Sequence, residues 1–224
     1  GISIVDLVVF IRNFIQSLRV CPTLFDAIKR LCWLYSSSFN WCNSHTLRWR
    51  ITFRYSDPIG EIKVLLRSNK GADAFIFGEI FDHGYFKLPL VADPKTILDL
   101  GAHIGLTTLF FNRMYPKAEI VCLEPAPNNC EILRENFKQN KIRSRLFEMA
   151  ISTSDGFAEL RIHDKDYGHS LSDAFIPGQI FSKQSSVNVH VISMHSLLQK
   201  LKWETIDLLK IDIEGYEKLL LTED

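Results

Sequence analysis

Several features that would assign a function class at once are missing from this sequence. Its 26 lysines and arginines are balanced by 26 aspartates and glutamates, so no net charge draws the whole protein to nucleic acid or to an anionic membrane. Its cysteines form no C-x-x-C pair, and no histidine stands at the spacing of a zinc site. We therefore expect no nucleic-acid partner, no metal and a reducing, cytoplasmic location. The five cysteines are Cys21, Cys32, Cys42, Cys122 and Cys130.

A long uninterrupted apolar run is also missing. The longest apolar stretch, residues 2–18, contains Asp6, Arg12, Asn13 and Gln16 and lacks the basic start of a signal peptide, so we expect no stable membrane insertion. Its apolar residues recur at helical spacing: Ile4, Leu7, Val8, Ile11, Phe14, Ile15 and Leu18. Such a helix suits a membrane surface or a partner protein. Because its polar side is not rich in lysine or arginine, we expect it to pack on its own domain.

The first 90 residues predict helices followed by a β-hairpin. A second helix is expected from Pro22 to about Tyr35. Apolar and polar residues then alternate over 47–55, as in a half-buried strand, and the turn 57–60 leads to a partner strand over 62–66. Basic residues on this hairpin suit a phosphate site, but a solvated strand face is the simpler interpretation. They are Arg48, Arg50, Arg54, Lys63 and Arg67. We therefore predict an N-terminal helical and β-hairpin appendage over residues 1–90.

After Pro94 the pattern changes to strands that alternate with helices. This alternation predicts right-handed β-α-β units and a parallel sheet, so residues 91–224 are expected to form an α/β domain. The predicted strands are 96–100, 119–123, 145–149, 158–162, 187–191 and a buried strand at 207–211. The predicted helices are 106–115, 127–139 and a short helix capped by Ser193 that ends at Leu201. The polar segment 163–186 has no periodicity, which is typical of a functional loop.

A glycine-containing turn joins the first of these strands to the next helix. Gly101 would let the backbone approach a ligand, and Gly105 would let the helix begin close to the strand. A tight strand-to-helix connection explains this turn as well as a ligand does. Glu124 ends the following strand, 23 positions after Gly101, where its carboxylate can accept hydrogen bonds from both hydroxyls of a ribose. Both features fall at the carboxyl edge of the sheet, where α/β folds bind ligands.

The spacing of the glycines indicates the kind of nucleotide. The pattern D-x-G-x-x-x-G from Asp99 places His103 where a dinucleotide-binding turn has its middle glycine, which disfavours a pyrophosphate. A ligand that contains adenosine but no phosphate, with an amino group near Asp99, fits better, and S-adenosylmethionine is such a ligand. A nicotinamide-dependent oxidoreductase, which would share Glu124, remains an alternative.

A third set of ionisable residues follows the last predicted strand. Lys210, Asp212 and Glu214 cluster where this strand reaches the same edge of the sheet. For Glu214, an acidic residue that favours a helix N-terminus is as good an explanation as a functional site. Asp212, which ends the strand, is the better candidate for the site.

These motifs together resemble the FkbM-type S-adenosylmethionine-dependent methyltransferases. The resemblance covers residues 94–223 and lies in the segments ILDLGAHIGLTT, CLEPAPNNCEILRENFKQN, EMAIS, GHSLSD and LLKIDIEGYE. It implies a Rossmann-like class I methyltransferase fold and methyl transfer to a hydroxyl of a sugar, a polyketide or a similar small molecule. Residues 71–86 resemble the segment that precedes the first strand in this family, and residues 1–70 lie outside the resemblance.

The resemblance also implies roles for individual residues. Asp212 would orient or deprotonate the acceptor hydroxyl with Glu214 beside it, and His169 is the second candidate for the base. His103 and Ala126 stand where the family often has asparagine and a polar helix cap. The implied cofactor-binding residues are Asp99, Gly101, Ala102, His103, Gly105, Glu124, Pro125, Glu148 and Ala150. Of these, the segment 148–150 would border the adenine.

Both ends of the sequence suggest part of a longer protein. The first residue is glycine, and 12 residues follow Asp212, fewer than the seven-stranded sheet of class I methyltransferases would need. We therefore expect the methyltransferase domain to be incomplete at its C-terminus. A catalytically silent S-adenosylmethionine-binding or scaffold protein is the alternative function that this expectation leaves open.

Overall fold

A computed structural model describes residues 4–36, 50–67, 72–84, 93–162, 170–171 and 185–213. The chain divides into two compact units, Gly1–Gly78 and Glu79–Asp224. The domain limits expected from the sequence, 1–90 and 91–224, remain a prediction. Within the described ranges, no helix combines the length and the apolar character that crossing a bilayer requires.

The first unit contains the predicted helices and hairpin. Its elements are α1 (Ile4–Val20), α2 (Leu24–Ser36), β1 (Arg50–Asp57), β2 (Gly60–Arg67) and α3 (Ala72–Phe77). A π-helical turn at Gly78–Asp82 follows α3 in the chain. The hairpin turn closes because the Asp57 carboxylate accepts hydrogen bonds from the backbone N–H groups of Ile59 and Gly60, at 2.9 and 3.2 Å. The inward side chains of β1 then form an aromatic core with Trp33 and Phe77.

Two of the basic hairpin residues make ion pairs within this unit. Arg67 and Asp73 form a buried pair at 3.1 Å, and the same carboxylate accepts the backbone N–H of Arg67 at 2.6 Å. Arg54 lies 3.0 Å from Asp26 and 3.6 Å from Glu61. These contacts engage both arginines within the protein, which argues against a phosphate site there. The expected solvated strand face is wrong for Arg67, because its side chain is buried against Asp73.

Helix α1 does not pack as the sequence predicts. Its contact with α2 combines a ring contact with two hydrogen bonds. The Phe10 and Tyr35 ring centroids lie 5.5 Å apart, Asn13 donates to the Tyr35 hydroxyl at 2.9 Å, and Arg30 donates to the buried Ser17 hydroxyl at 2.9 Å. The apolar stripe is 45–83% exposed at Ile4, Leu7, Val8, Ile11, Ile15 and Leu18. The prediction that this stripe packs on its own domain is therefore wrong, because the helix turns its other side towards α2.

The second unit has the predicted α/β architecture. Its described strands form a parallel sheet in the order β10-β3-β4-β5 and a mixed sheet in the order β6-β9-β7-β8. The strands are β3 (Thr96–Leu100), β4 (Glu119–Leu123), β5 (Arg145–Phe147), β6 (Ala150–Ser152), β7 (Gly156–Ile162), β8 (Ser170–Leu171), β9 (Ser185–Ser193) and β10 (Leu208–Ile211). The helices are α4 (Leu106–Met114), α5 (Pro127–Gln139) and α6 (Met194–Leu201). The predicted parallel sheet is confirmed, and its order follows from two β-α-β connections through α4 and α5.

Apolar side chains on one face of β3 and β4 form the core between the two sheets. Leu98 and Leu100 of β3 pack with Val121 and Leu123 of β4, and residues from β6, β9 and α6 cover them. Helix α6 begins as predicted, since the Ser193 hydroxyl accepts the backbone N–H of Ser196 at 3.2 Å. Residues 145–149 and 207–211 prove shorter as strands than predicted.

Strand β10 is also less buried than the sequence predicts. Only Leu208 is buried, and Leu209 is 39% exposed. The physical reason is its position: within the described ranges, β10 pairs with β3 alone and forms an edge of the parallel sheet.

The buried Arg67–Asp73 pair leads to a stability prediction for the first unit. We expect Asp73→Ala to lower the free energy of unfolding by about 3 to 5 kcal/mol, because the buried guanidinium loses its carboxylate. The matched control is Glu61→Ala, which removes an exposed partner of Arg54 and should cost less than about 1 kcal/mol. Denaturant unfolding of both variants measures the difference, and equal losses would contradict the assignment.

Candidate functional site

The carboxyl ends of three neighbouring strands meet around the glycine turn. The backbone N–H of Asp212, after β10, donates to Leu100 O at 3.0 Å. On the other side, the N–H groups of Gly101 and Ala102 both donate to Leu123 O, at 3.0 and 2.9 Å. The structure therefore places the turn 101–105 between the end of β10 and the end of β4, at the edge where parallel sheets bind ligands.

The close approach at Gly101 comes from the protein's own backbone. Gly101 has φ +77°, and a Cβ added there would lie 1.9 Å from the carbonyl oxygen of Asp212. From the sequence, the approach of a ligand and a tight strand-to-helix connection explain this glycine equally well. The structure gives a different reason, which is the backbone of Asp212 packed against the turn.

The rest of the turn is also constrained. His103 has φ +52°, in the left-handed region that histidine and asparagine enter more often than most other residues. At Gly105 (φ +83°), an added Cβ would lie 2.9 Å from Leu133 Cγ and 3.0 Å from Phe137 Cε1, so this glycine lets helix α5 pack against the turn. The Asn136 side chain of α5 donates to Ile104 O at 3.0 Å.

Glu124 connects the turn to the start of α5. Its Oε2 accepts the backbone N–H of His103 at 2.8 Å, and its Oε1 accepts the N–H of Ala126 at 3.0 Å and the Asn129 amide at 3.1 Å. Three donors thus occupy a carboxylate that has about four acceptor positions. One position on Oε2 remains for a ligand hydroxyl, and the predicted pair of ribose hydroxyls would require one of these donors to move.

Burial changes the acidity of this carboxyl group. Glu124 is only 5% exposed, and its desolvation raises the pKa to about 7, against the effect of its three donors and of the Lys210 ammonium. Because the folded-state pKa lies above the unfolded value, the contribution of Glu124 to stability is largest at low pH. It falls as the pH rises from about 4.5 towards 7.

Asp99 lies beneath the turn and is fully buried. Thr108 donates to its Oδ2 at 2.6 Å, and the Lys210 ammonium lies 3.2 Å from its Oδ1. The same ammonium donates to Gly101 O at 2.7 Å. Asp99 therefore supports the turn from the inside, and its direct contact with a cofactor amino group stays a prediction.

Asp212 points out of this network. Its side chain is 68% exposed, and its Oδ2 lies 3.7 Å from the Lys210 ammonium. A carboxylate in this position can reach a ligand above the sheet edge without losing a protein hydrogen bond that holds the turn. The other two predicted catalytic residues, Glu214 and His169, lie outside the described residues.

The remaining predicted residues take less specific positions. Ala102 and Ala150 are buried, Pro125 is half-buried, and the half-exposed Glu148 makes an ion pair with Arg134. Ala126 is the N-cap of α5 and provides no side-chain hydrogen bond, as its sequence position indicated. The backbone N–H of Ala126 itself is satisfied by Glu124 Oε1.

The sequence analysis missed the residues that hold these groups in place. Lys210 was noted as ionisable but given no role, and Thr108 and Asn129 were not considered. A signal for Lys210 was present, because a lysine within the apolar strand L-L-K-I needs a buried partner. The partners of Thr108 and Asn129 depend on helix positions that no motif in the sequence marks.

The cysteines near the site are structural. The Cys130 thiol donates to Glu124 O at 3.0 Å, and burial raises the pKa of both Cys122 and Cys130 above the usual range. Both thiols are thus protonated and poorly reactive at neutral pH. Among the residues that the structure describes, no group of histidines, cysteines and carboxylates could hold a metal ion.

Comparison with known protein families gives a match that covers the part of the chain containing this site. Residues 99–223, more than half of the sequence, match the family described as "Methyltransferase FkbM domain". The match begins at Asp99 and includes the turn, Glu124 and Asp212.

Individual relatives agree with the family match. The chain is 30% identical over 173 residues to methyltransferase sdnD of Sordaria araneosa, which covers 64% of the chain and 65% of the relative. It is 24% identical to 31-O-demethyl-FK506 methyltransferase FkbM of Streptomyces tacrolimicus, over 68% of the chain and 69% of the relative. It is 28% identical to 2-O-methyltransferase NoeI of Sinorhizobium fredii (strain NBRC 101917 / NGR234), over 56% of the chain and 55% of the relative. The matched segments thus span 55–69% of these relatives.

The contact between Gly101 and Asp212 leads to a stability prediction. We expect Gly101→Ala to lower the free energy of unfolding by roughly 2 to 6 kcal/mol, because it adds a steric overlap to the strain of a positive φ. Gly156 is the control: its φ is also positive, but an added Cβ there meets nothing within 4 Å. Gly156→Ala should therefore cost only the strain, about 1 to 3 kcal/mol. Thermal unfolding of the two variants compares them, and similar losses would refute the overlap.

Proposed function

Since this chain belongs to the FkbM methyltransferase family, we propose that it transfers a methyl group from S-adenosylmethionine to a hydroxyl group of a small molecule, such as a sugar or a polyketide. The observation that carries the proposal is the turn 101–105, which is held between Glu124 and Asp212 at the carboxyl edge of the parallel sheet. The names of two relatives, a 31-O-demethyl-FK506 methyltransferase and a 2-O-methyltransferase, support transfer to oxygen.

The residues present fit this cofactor. The free acceptor position on Glu124 Oε2 suits a ribose hydroxyl, which is a donor. The exposed Asp212 carboxylate supplies negative charge at the same edge, which suits a cationic ligand. When bound, S-adenosylmethionine supplies a methyl group on a positively charged sulfur, and the sulfur is the leaving group when an acceptor oxygen attacks the methyl carbon in line.

The residues of the chain would bind the cofactor, orient the acceptor hydroxyl and remove its proton. Glu124 and the turn would fix the nucleoside, so that the sulfur is held in a constant position. Asp212 would accept the hydrogen bond of the acceptor hydroxyl and remove its proton as the new bond forms. Glu214 and His169 remain predicted alternatives for this last role.

The primary test is calorimetric titration of the chain with S-adenosylmethionine. Measurable binding is expected for the chain and for a longer version extended to match the length of its relatives. Binding without methyl transfer by the longer version to any hydroxylated acceptor would support the alternative of a silent cofactor-binding protein. Failure of both versions to bind would refute the proposal.

Glu124 makes cofactor binding depend on pH. A hydroxyl that donates to this carboxylate favours its ionised form, and the unliganded group has a pKa of about 7. We therefore expect affinity for S-adenosylmethionine to fall roughly tenfold between pH 8 and pH 6, because Glu124 of the free protein takes up a proton over this range.

The measurement is titration calorimetry in two buffers of different ionisation enthalpy, which counts the protons released on binding. Glu124→Gln should abolish both the proton release and the pH dependence, and should weaken binding at pH 8. Glu159→Gln, on the exposed part of β7, is the matched control and should behave like the wild type. A pH dependence that survives in Glu124→Gln would assign the proton to another group.

Asp212 can be separated from the cofactor-binding residues by a paired measurement. In the longer version of the protein, Asp212→Asn should lower saturated turnover by about 10²-fold to 10⁴-fold and leave the cofactor dissociation constant nearly unchanged. Weaker cofactor binding with normal saturated turnover would instead assign Asp212 to the cofactor. No change in either quantity would exclude Asp212 from the site.

A further inference from the structure

One ammonium group joins the two strands that form the site. Lys210 lies in β10 with its side chain 12% exposed, and its Nζ is 2.7 Å from Gly101 O, 3.2 Å from Asp99 Oδ1 and 3.5 Å from Leu100 O. These three oxygens all belong to β3 and the first residue after it, and the contact with Asp99 is an ion pair. Moving an ammonium from water to this environment is costly, so its contacts must compensate for the loss of hydration.

The contact with Gly101 O fixes the orientation of a whole peptide group. The peptide bond between Gly101 and Ala102 is planar and trans, so its carbonyl oxygen and its N–H point in opposite directions. The oxygen accepts from Lys210 on one side, and the Ala102 N–H donates to Leu123 O on the other, at 2.9 Å. Strands β10 and β4 therefore hold this peptide from both sides.

The next peptide group depends on this orientation. It carries the N–H of His103, which donates to Glu124 Oε2, the atom that retains an acceptor position for a ligand. A rotation of the Gly101–Ala102 peptide would move this N–H and the carboxylate that it holds. Glycine resists such a rotation least of all residues, so the turn needs an external constraint.

We propose that Lys210 is a positioning residue, whose ammonium holds the Gly101 carbonyl so that the turn 101–105 and Glu124 keep the arrangement that binds the cofactor. This inference rests on the proposed function in its last step. The competing explanation is that Lys210 only neutralises the buried Asp99 carboxylate. The two explanations differ in what happens when both charges are removed together.

The test compares Lys210→Met with the double variant Lys210→Met/Asp99→Asn. The single variant leaves Asp99 buried without its cation, so it should lose both thermal stability and affinity for S-adenosylmethionine. The double variant has no unpaired buried charge, so its midpoint of thermal unfolding should return towards the wild-type value. Measured at a pH high enough to ionise Glu124 in both proteins, its affinity should remain about 10-fold to 100-fold weaker, because Gly101 O still lacks its charged donor. Lys117→Met, an exposed lysine in the turn before β4, is the control and should match the wild type in both measurements.

A second measurement needs no ligand. Amide hydrogen exchange of Ala102 and His103 should be about 10-fold faster in the unliganded double variant, whereas the amide of Cys130 in α5 should exchange at the wild-type rate. Wild-type affinity or wild-type exchange of the turn in the double variant would overturn the proposal and leave charge neutralisation as the role of Lys210. If the wild type itself fails to bind S-adenosylmethionine, the proposed function fails, and the exchange rates alone decide the role of Lys210.

Discussion

The site depends on the close approach between Gly101 and the backbone carbonyl of Asp212. This contact brings the end of β3 against the end of β10 and leaves no space for a side chain at position 101. The turn is then bent towards β4, where Leu123 O accepts two successive N–H groups. The other groups at the edge are held by contacts with this bend. Glu124 accepts its His103 N–H, Lys210 donates to its Gly101 carbonyl and pairs with Asp99, and the Asp212 carboxylate stays exposed.

Charge at this edge is distributed between a buried part and an exposed part. Asp99 and Lys210 compensate each other below the turn, where water is excluded. The Asp212 carboxylate is exposed and therefore available to a ligand. The buried part therefore maintains the geometry of the site, and the exposed part is the one suited to chemistry.

Much of this fold could be predicted because local sequence patterns determine it. The limits of β3, β4 and α5 agree with the sequence residue for residue, since proline, glycine or a charged residue marks at least one end of each. The exposed stripe of α1 could not be predicted, because helical periodicity shows that a helix has an apolar side and does not show which side meets its neighbour. The contact that requires glycine at position 101 could not be predicted either. A sequence motif shows that a glycine is needed there, but it does not show that the approaching atom is the carbonyl oxygen of Asp212.

The pairing of β3 with β10 has a consequence for how the protein folds. These adjacent strands are separated by more than 100 residues in the chain, as the hydrogen bond from Thr96 to Asp207 shows. Closing a loop of this length is slow compared with forming the neighbouring β3-α4-β4 unit, whose contacts are local. During synthesis, the segment that contains the turn leaves the ribosome well before Lys210 and Asp212 do. The nascent protein would therefore hold a β-α-β unit whose turn is fixed on the β4 side alone, and the site would be complete only when β10 adds the contacts of Lys210 and Asp212.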